Sequence, residues 1–199
     1  MSAGPIILAS KSAARRAVLT GADVPFEVVV AGVDEDAVKA SMLAQGAGAR
    51  EVADALAEIK ALKVSKTRQG FVIGSDQTLE FEGRLYDKAT SLEAAAERLK
   101  AMRGKPHKLH SAVVVAKDGA PIWREVVTAT LTMREFSDEF LQAYLLADGE
   151  EALGSVGCYR LEGPGAQLFS KIEGDYFAIL GMPLLGLLDL LRRHGALAT

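Results

Sequence analysis

Short apolar runs alternate with stretches of helical spacing along this 199-residue chain. Pro5–Ala9 predicts a short buried strand, and Ser10 a cap for a helix over about 11–21. Phe26, Val28 and Val30 fall on one face of a half-buried strand predicted over Pro25–Ala31. Asp34-Glu35-Asp36 opens a predicted helix over about 36–45, its acids suited to the positive end. Gly46–Gly48 breaks the chain, and Arg50–Lys66 then forms an amphipathic helix marked by Val52, Leu56, Ile59 and Leu62. Gly70–Ser75 predicts a strand and Thr78–Phe81 a second extended piece, followed by the turn Glu82-Gly83-Arg84. A helix over Ser91–Met102 ends at Gly104-Lys105-Pro106. His107–Lys117 and Pro121–Arg134 predict a long hairpin around Asp118-Gly119. A helix follows over Ser137–Leu146, then an irregular glycine-rich stretch over 153–181, then a last helix over Pro183–Arg193.

Strands alternating with helices, plus one long antiparallel hairpin, imply a mixed α/β sheet rather than a purely parallel one. The length suits one domain over residues 1–199, able to bury roughly two-thirds of its unfolded surface without a staple. The formal net charge is -3 and no basic stripe occurs, so no nucleic-acid polymer is expected as a partner. Arginines that meet phosphate must therefore act locally. The lone Cys158 rules out an internal disulfide. No basic region followed by a long apolar run marks the N-terminus, so no signal peptide is expected. Met182–Leu191 is interrupted by Pro183, Gly186 and Asp189, so no membrane span is expected either. A cytoplasmic enzyme is the default expectation.

Two segments carry the candidate chemistry. In Leu8-Ala9-Ser10-Lys11-Ser12-Ala13-Ala14-Arg15-Arg16 a strand runs into a helix start bearing hydroxyls and paired arginines. Free N–H groups there, with Ser10, Ser12 and Arg15 or Arg16, could hold phosphate oxygens. The plainer alternative is a capped surface helix with two solvated arginines. In Val72-Ile73-Gly74-Ser75-Asp76-Gln77 a carboxylate follows an apolar strand, the place where open α/β sheets put ligands. Asp76 could activate a water or hold a metal, or it could be a turn aspartate satisfied by backbone N–H groups. Glu35, among three acids, could supply hard oxygens to Mg²⁺ or Mn²⁺, or simply match the helix dipole. Lys60 and Lys88 could neutralise phosphate charge, although isolated lysines are mostly solvated. His107 and His110 lie three apart in a strand and so point to opposite faces, which argues against a shared metal. Cys158 reads as a small buried residue.

Taken together, these segments resemble the Maf family of nucleoside triphosphate pyrophosphatases. The likeness runs through Leu8-Ala9-Ser10-Lys11-Ser12, Arg15-Arg16, Val33-Asp34-Glu35, Ala57-Glu58-Ile59-Lys60-Ala61 and Ile73-Gly74-Ser75-Asp76. It continues through Gly104-Lys105-Pro106-His107, Glu162-Gly163-Pro164-Gly165-Ala166, Ile172-Glu173-Gly174-Asp175-Tyr176 and Leu180-Gly181-Met182-Pro183-Leu184. The resemblance implies a mixed twisted sheet with flanking helices, in two lobes around a cleft, like the inosine triphosphate pyrophosphatases. It implies hydrolysis of a nucleoside triphosphate to monophosphate and pyrophosphate with a divalent cation, Mg²⁺, Mn²⁺ or Co²⁺. By analogy Asp76 is the proton acceptor. Ser10, Ser12, Arg15, Lys60 and Lys88 would hold the substrate, and Glu35 would join Asp76 at the metal. A homodimer is compatible with the likeness. Ala14, Gln77 and Glu162 occupy the family's specificity positions. Gln77 and Glu162 match a branch resembling 7-methyl-GTP pyrophosphatases, whereas Ala14 replaces that branch's tryptophan. Asp87-Lys88-Ala89 stands where Gly-Lys-Pro is usual. The rival reading is a nucleotide-binding regulator of septum formation or cell division with little catalysis.

Overall fold

The computed structural model describes residues 4–199. The chain runs β1 (Ile6–Leu8), α1 (Ala13–Gly21), β2 (Glu27–Val28), α2 (Glu35–Ala44), α3 (Ala49–Ser65), β3 (Phe71–Phe81), β4 (Arg84–Tyr86) and α4 (Leu92–Met102). It continues with β5 (Pro106–Lys117), β6 (Ala120–Met133), α5 (Asp138–Asp148), β7 (Phe169–Glu173), α6 (Tyr176–Ile179) and α7 (Leu184–Arg193). Two 3-10 turns, Gly149–Gly154 and Pro164–Leu168, occupy the glycine-rich stretch. The strands form one mixed sheet in the order β2-β1-β3-β5-β6-β7, with β4 against the end of β3. β1 pairs in parallel with β2 and β3; the other pairings are antiparallel. The expected mixed α/β class therefore holds.

Three local expectations need correction. The cap of α1 is Ser12, whose hydroxyl accepts from the Arg15 N–H at 3.4 Å, and not Ser10. The Ser10 hydroxyl instead accepts from the Ser12 N–H and from the Arg15 guanidinium, so it cannot serve the helix end. The strand expected over 25–31 shrinks to two residues. Among the described residues its only strand neighbour, β1, is three residues long, and Val28 and Val30 stay 42% and 61% exposed. The two extended pieces around Asp76 are one strand, because β5 pairs with β3 without a break from Val72 to Glu80. Polar residues in its middle made it look like two.

The long strands β3 and β5 explain the two lobes. Alternate residues of a strand share a face. Phe71 and Ile73, with Val113 and Val115, pack under α1 and α7. Leu79 and Phe81, on that same face but further along, pack with Leu109 under α4 and α5. Between these two apolar cores stand Ser75, Gln77 and Ser111, so the break between lobes is a polar break in one continuous sheet face. The opposite face is covered by α3, whose Ala53, Ala57 and Ala61 meet Ala112, Val114 and Ala116. Among the described residues no helix is long and apolar enough to cross a membrane.

Candidate active site

The register of β3 opens a notch. On the side away from β5, β1 pairs with it only as far as Ile73, and β4 only from Leu79. Residues 74–78 therefore have no strand neighbour there among the described residues. The notch lies at the C-terminal end of β1, where open sheets place ligands, beside the middle of the longer β3.

Gly74 sets what faces the notch. A Cβ at this position would stand 2.1 Å from the Ala57 carbonyl oxygen and 2.6 Å from the Ala61 nitrogen. Only a bare α-carbon lets the α3 backbone come this close. That approach lands Lys60 beside Asp76, two residues along β3 on the same face. The Lys60 Nζ donates to Asp76 Oδ1 at 2.7 Å and lies 2.9 Å from Glu35 Oε1. Lys60 and Asp76 are buried, whereas Glu35, at the first turn of α2, is partly open. Two carboxylates from opposite walls thus converge on one ammonium. No hydrogen bond engages Asp76 Oδ2 among the described residues, so this oxygen is free to accept from a water.

Arg15 and Arg16, alike in sequence, separate in space. Arg16 is exposed. Arg15 turns inward: its Nε donates to the Gly181 carbonyl at 3.0 Å, and its Nη1 to the Ser75 carbonyl at 2.9 Å and to Ser10 Oγ at 3.2 Å. It ties α1 to β3 and to the loop before α7, and among the described residues no hydrogen bond engages its Nη2. Burial pulls its pKa below the ordinary arginine value, against the charges of Asp76 and Glu35, which raise it. Ser75 Oγ donates to the same Gly181 carbonyl at 2.9 Å. Lys88 stands near this group. Lost hydration, and then the Arg15 charge, lower its pKa; Lys11 adds to the lowering, while Glu35 and Asp76 oppose it. Lys11, which sequence reasoning passed over, thus belongs to the same positive rim.

The three positions expected to set specificity do not sit alike. The Gln77 amide donates to Ser111 Oγ at 2.8 Å and to the carbonyls of Ala178 and Ile179 at 3.1 and 2.9 Å. Its NH₂ is therefore spent on α6. Ala14 and Glu162 instead line a cavity of about 360 Å³ with Ala17, Val18, Phe177 and Leu180. The cavity is apolar apart from Glu162, and it borders the Arg15–Gly181 tie through α1 and Leu180.

Sequence reasoning also missed Lys39, whose Nζ lies 2.6 Å from Asp87 Oδ1 across the notch. Its spacing of four from Glu35 was the available signal. His107 and His110 do face apart, as expected. His107 Nε2 meets the Tyr159 hydroxyl at 2.6 Å, whereas His110 meets Glu80 and Thr128. Cys158 is buried, and burial pushes its thiol pKa up.

Residues 5–194 match the family described as Maf-like protein. A relative from Caulobacter vibrioides, named nucleoside triphosphate pyrophosphatase, is 61% identical over 199 residues, covering all of both chains. A Granulibacter bethesdensis relative with the same name is 56% identical over 98% of this chain and 99% of its own. A Rhizobium meliloti relative named 7-methyl-GTP pyrophosphatase is 47% identical over 96% of this chain and 97% of its own.

Proposed function

Because this chain belongs to the Maf-like family, and its full-length relatives are nucleoside triphosphate pyrophosphatases, we propose that the notch hydrolyses a nucleoside triphosphate to monophosphate and pyrophosphate. The observation that carries this reading is the convergence of Asp76 and Glu35 on Lys60 beside the Arg15–Lys88 rim. Asp76 Oδ2 takes the proton of a water as that water's oxygen bonds to the α-phosphorus. The bond from this phosphorus to the bridging oxygen breaks, and pyrophosphate leaves with the electron pair. Arg15 Nη2, Lys88 and Lys11 meet the charge that spreads over the phosphate oxygens.

A divalent cation fits this donor set. Among the described residues no three His, Cys, Asp or Glu side chains form a metal cage. Mg²⁺ commonly uses only one or two carboxylates, completing its shell with water and substrate phosphate. Glu35 and Asp76 are such a pair, hard oxygens already drawn together by Lys60. The ion would supply charge neutralisation on the phosphates. Lys60 would then keep the carboxylates from repelling one another.

The cavity lined by Ala14 and Glu162 takes the base. Glu162 can accept from a guanine N1–H and exocyclic amine, a pattern uracil and thymine do not offer. Phe177 supplies an aromatic ring to the pocket where Ala14 does not. Guanine-type triphosphates, including 7-methyl-GTP, are therefore the proposed substrates. The test is pyrophosphate release from 7-methyl-GTP, GTP, UTP, dTTP and CTP with Mg²⁺, Mn²⁺ or Co²⁺. Metal-dependent release, with guanine bases preferred, is expected. A folded protein that binds these nucleotides and releases nothing would overturn the reading.

A further inference from the structure

We propose that Lys39 and Asp87 are positioning residues, an ion pair that holds α2 across the notch and so sets Glu35 against Lys60. The inference rests on the reading of the notch as the catalytic site. The helix α2 is weakly anchored. None of its residues is buried, and none of the four apolar clusters takes a side chain from it. Its inward face is Glu35, Val38, Lys39 and Met42, all only partly covered, at the spacing of a single helical stripe. Two of those four are charged. Each reaches the body of the protein through an ion pair: Glu35 to Lys60 at 2.9 Å and Lys39 to Asp87 at 2.6 Å. The helix therefore holds its place chiefly by polar ties. Glycines flank it, Gly32 at φ 59° and Gly46 at φ 86°, left-handed conformations that glycine adopts freely.

The far end of the tie is firm. The Asp87 carbonyl accepts from Arg98, whose guanidinium also donates to the Val156 carbonyl at 2.7 Å. The loop after β4 is thus fastened to α4 and to the segment before Cys158. Asp36, at 3.7 Å, gives Lys39 a weaker partner on its own helix. Partial burial works against the Lys39 charge. Even so, the hydrogen bond and charge of Asp87, with Asp76 and Asp36 behind it, hold its pKa above the ordinary lysine value. Lys39 thus stays charged in the working range, and the tie persists. A fixed loop on one wall and a loosely packed helix on the other make the pair a clasp. What the clasp positions is the carboxylate one turn earlier.

The test compares Lys39→Met, Asp87→Asn and their double variant with the unmodified chain. Amide hydrogen exchange over residues 36–44 is measured without nucleotide, alongside KM and kcat for GTP. Each single variant should speed exchange in α2 about two- to five-fold, the size of a partly exposed ion pair. Each should raise KM by a similar factor with kcat little changed. The double variant should match either single one, since the two share one tie. In a Glu35→Gln background Lys39→Met should change KM no further. Unchanged exchange in α2, or effects on KM that simply multiply in the double variant, would overturn the clasp. A KM lowered by Asp87→Asn would also overturn it, by showing that Lys39 binds nucleotide directly. The exchange measurement is independent of turnover. An inactive protein with the expected exchange pattern would refute the site reading and leave the clasp.

Discussion

Replacing Gly74 by alanine should injure both stability and turnover, for one reason. The added methyl would lie 2.1 Å from the Ala57 oxygen, 2.6 Å from the Ala61 nitrogen and 2.8 Å from the Ala61 Cβ. Ordinary contact begins at 3.4 Å, and the two nearest atoms belong to the helix backbone, which cannot rotate aside. The α3 axis must therefore retreat by roughly 1 Å, and close-packed interiors transmit such a shift instead of absorbing it. The retreat parts Ala53, Ala57 and Ala61 from β5, all now fully buried. Overpacking of this kind costs about 1–3 kcal/mol, or about 2–4 °C of Tm per kcal/mol in a chain of this size. It also carries Lys60 away from Asp76, stretching a 2.7 Å hydrogen bond beyond useful length. A misplacement of about 1 Å at a reacting centre can cost about 100-fold in rate. Thermal unfolding and pyrophosphate release, the latter measured well below Tm, read the two effects. Gly154→Ala is the control, because its added methyl meets nothing within 4 Å. A Gly74→Ala protein with unchanged Tm and a rate within two-fold of the original would refute the close-approach argument.

Asp76→Asn should abolish pyrophosphate release while the far-UV spectrum stays native; retained turnover would remove Asp76 as the proton acceptor. Lys60→Met leaves Asp76 buried without its partner and should lower stability by about 3–5 kcal/mol in denaturant titration. Glu162→Gln should shift base preference away from guanine with Tm unchanged, and the competition ratio of GTP to UTP measures it. Burial lowers the His107 pKa from 6.5 to about 4, so the unfolded chain binds its proton first. Stability is therefore present above about pH 6.5 and lost as pH falls toward 4, by about 3 kcal/mol at 1.36 kcal/mol per unit. Urea midpoints across that window should fall less steeply for His107→Gln.

Much of this architecture is written locally. The Asp118-Gly119 hairpin, the helix starts at Ser91 and Ser137 and the acidic start of α2 all formed where local chemistry put them. The failures share a cause. Ser10 and Ser12 offer the same hydroxyl, and only the distant Gly181 and Ser75 carbonyls decide that Arg15 turns inward and draws Ser10 with it. Gly74-Ser75-Asp76 looks like a strand end because its polarity breaks an apolar run, yet β5 pairs straight through it. Local pattern carries no information about a partner some forty residues away.

The same distinction sorts the cations. In sequence, Arg15, Lys60 and Lys88 are equivalent candidates for a triphosphate, and neither Lys11 nor Lys39 stands out. In the fold, Lys60 is shared between two carboxylates, Lys39 is held by Asp87, and Arg15 spends Nε and Nη1 on backbone and hydroxyl oxygens. Among the described residues, positive charge without a protein acid is left at Lys11 and Lys88; lost hydration and then repulsion from Arg15, with a smaller push from Lys11, already lower the Lys88 pKa. A bound triphosphate would relieve that repulsion, so nucleotide should raise the Lys88 pKa. Protonation then favours binding: affinity should hold at neutral pH and weaken as pH rises past the free-state pKa of Lys88. Calorimetric titration of a non-hydrolysable triphosphate between pH 7 and 10 reads this directly. The weakening should vanish in Lys88→Met, which binds less tightly throughout. A pH dependence equal in the two proteins would place the titrating group elsewhere.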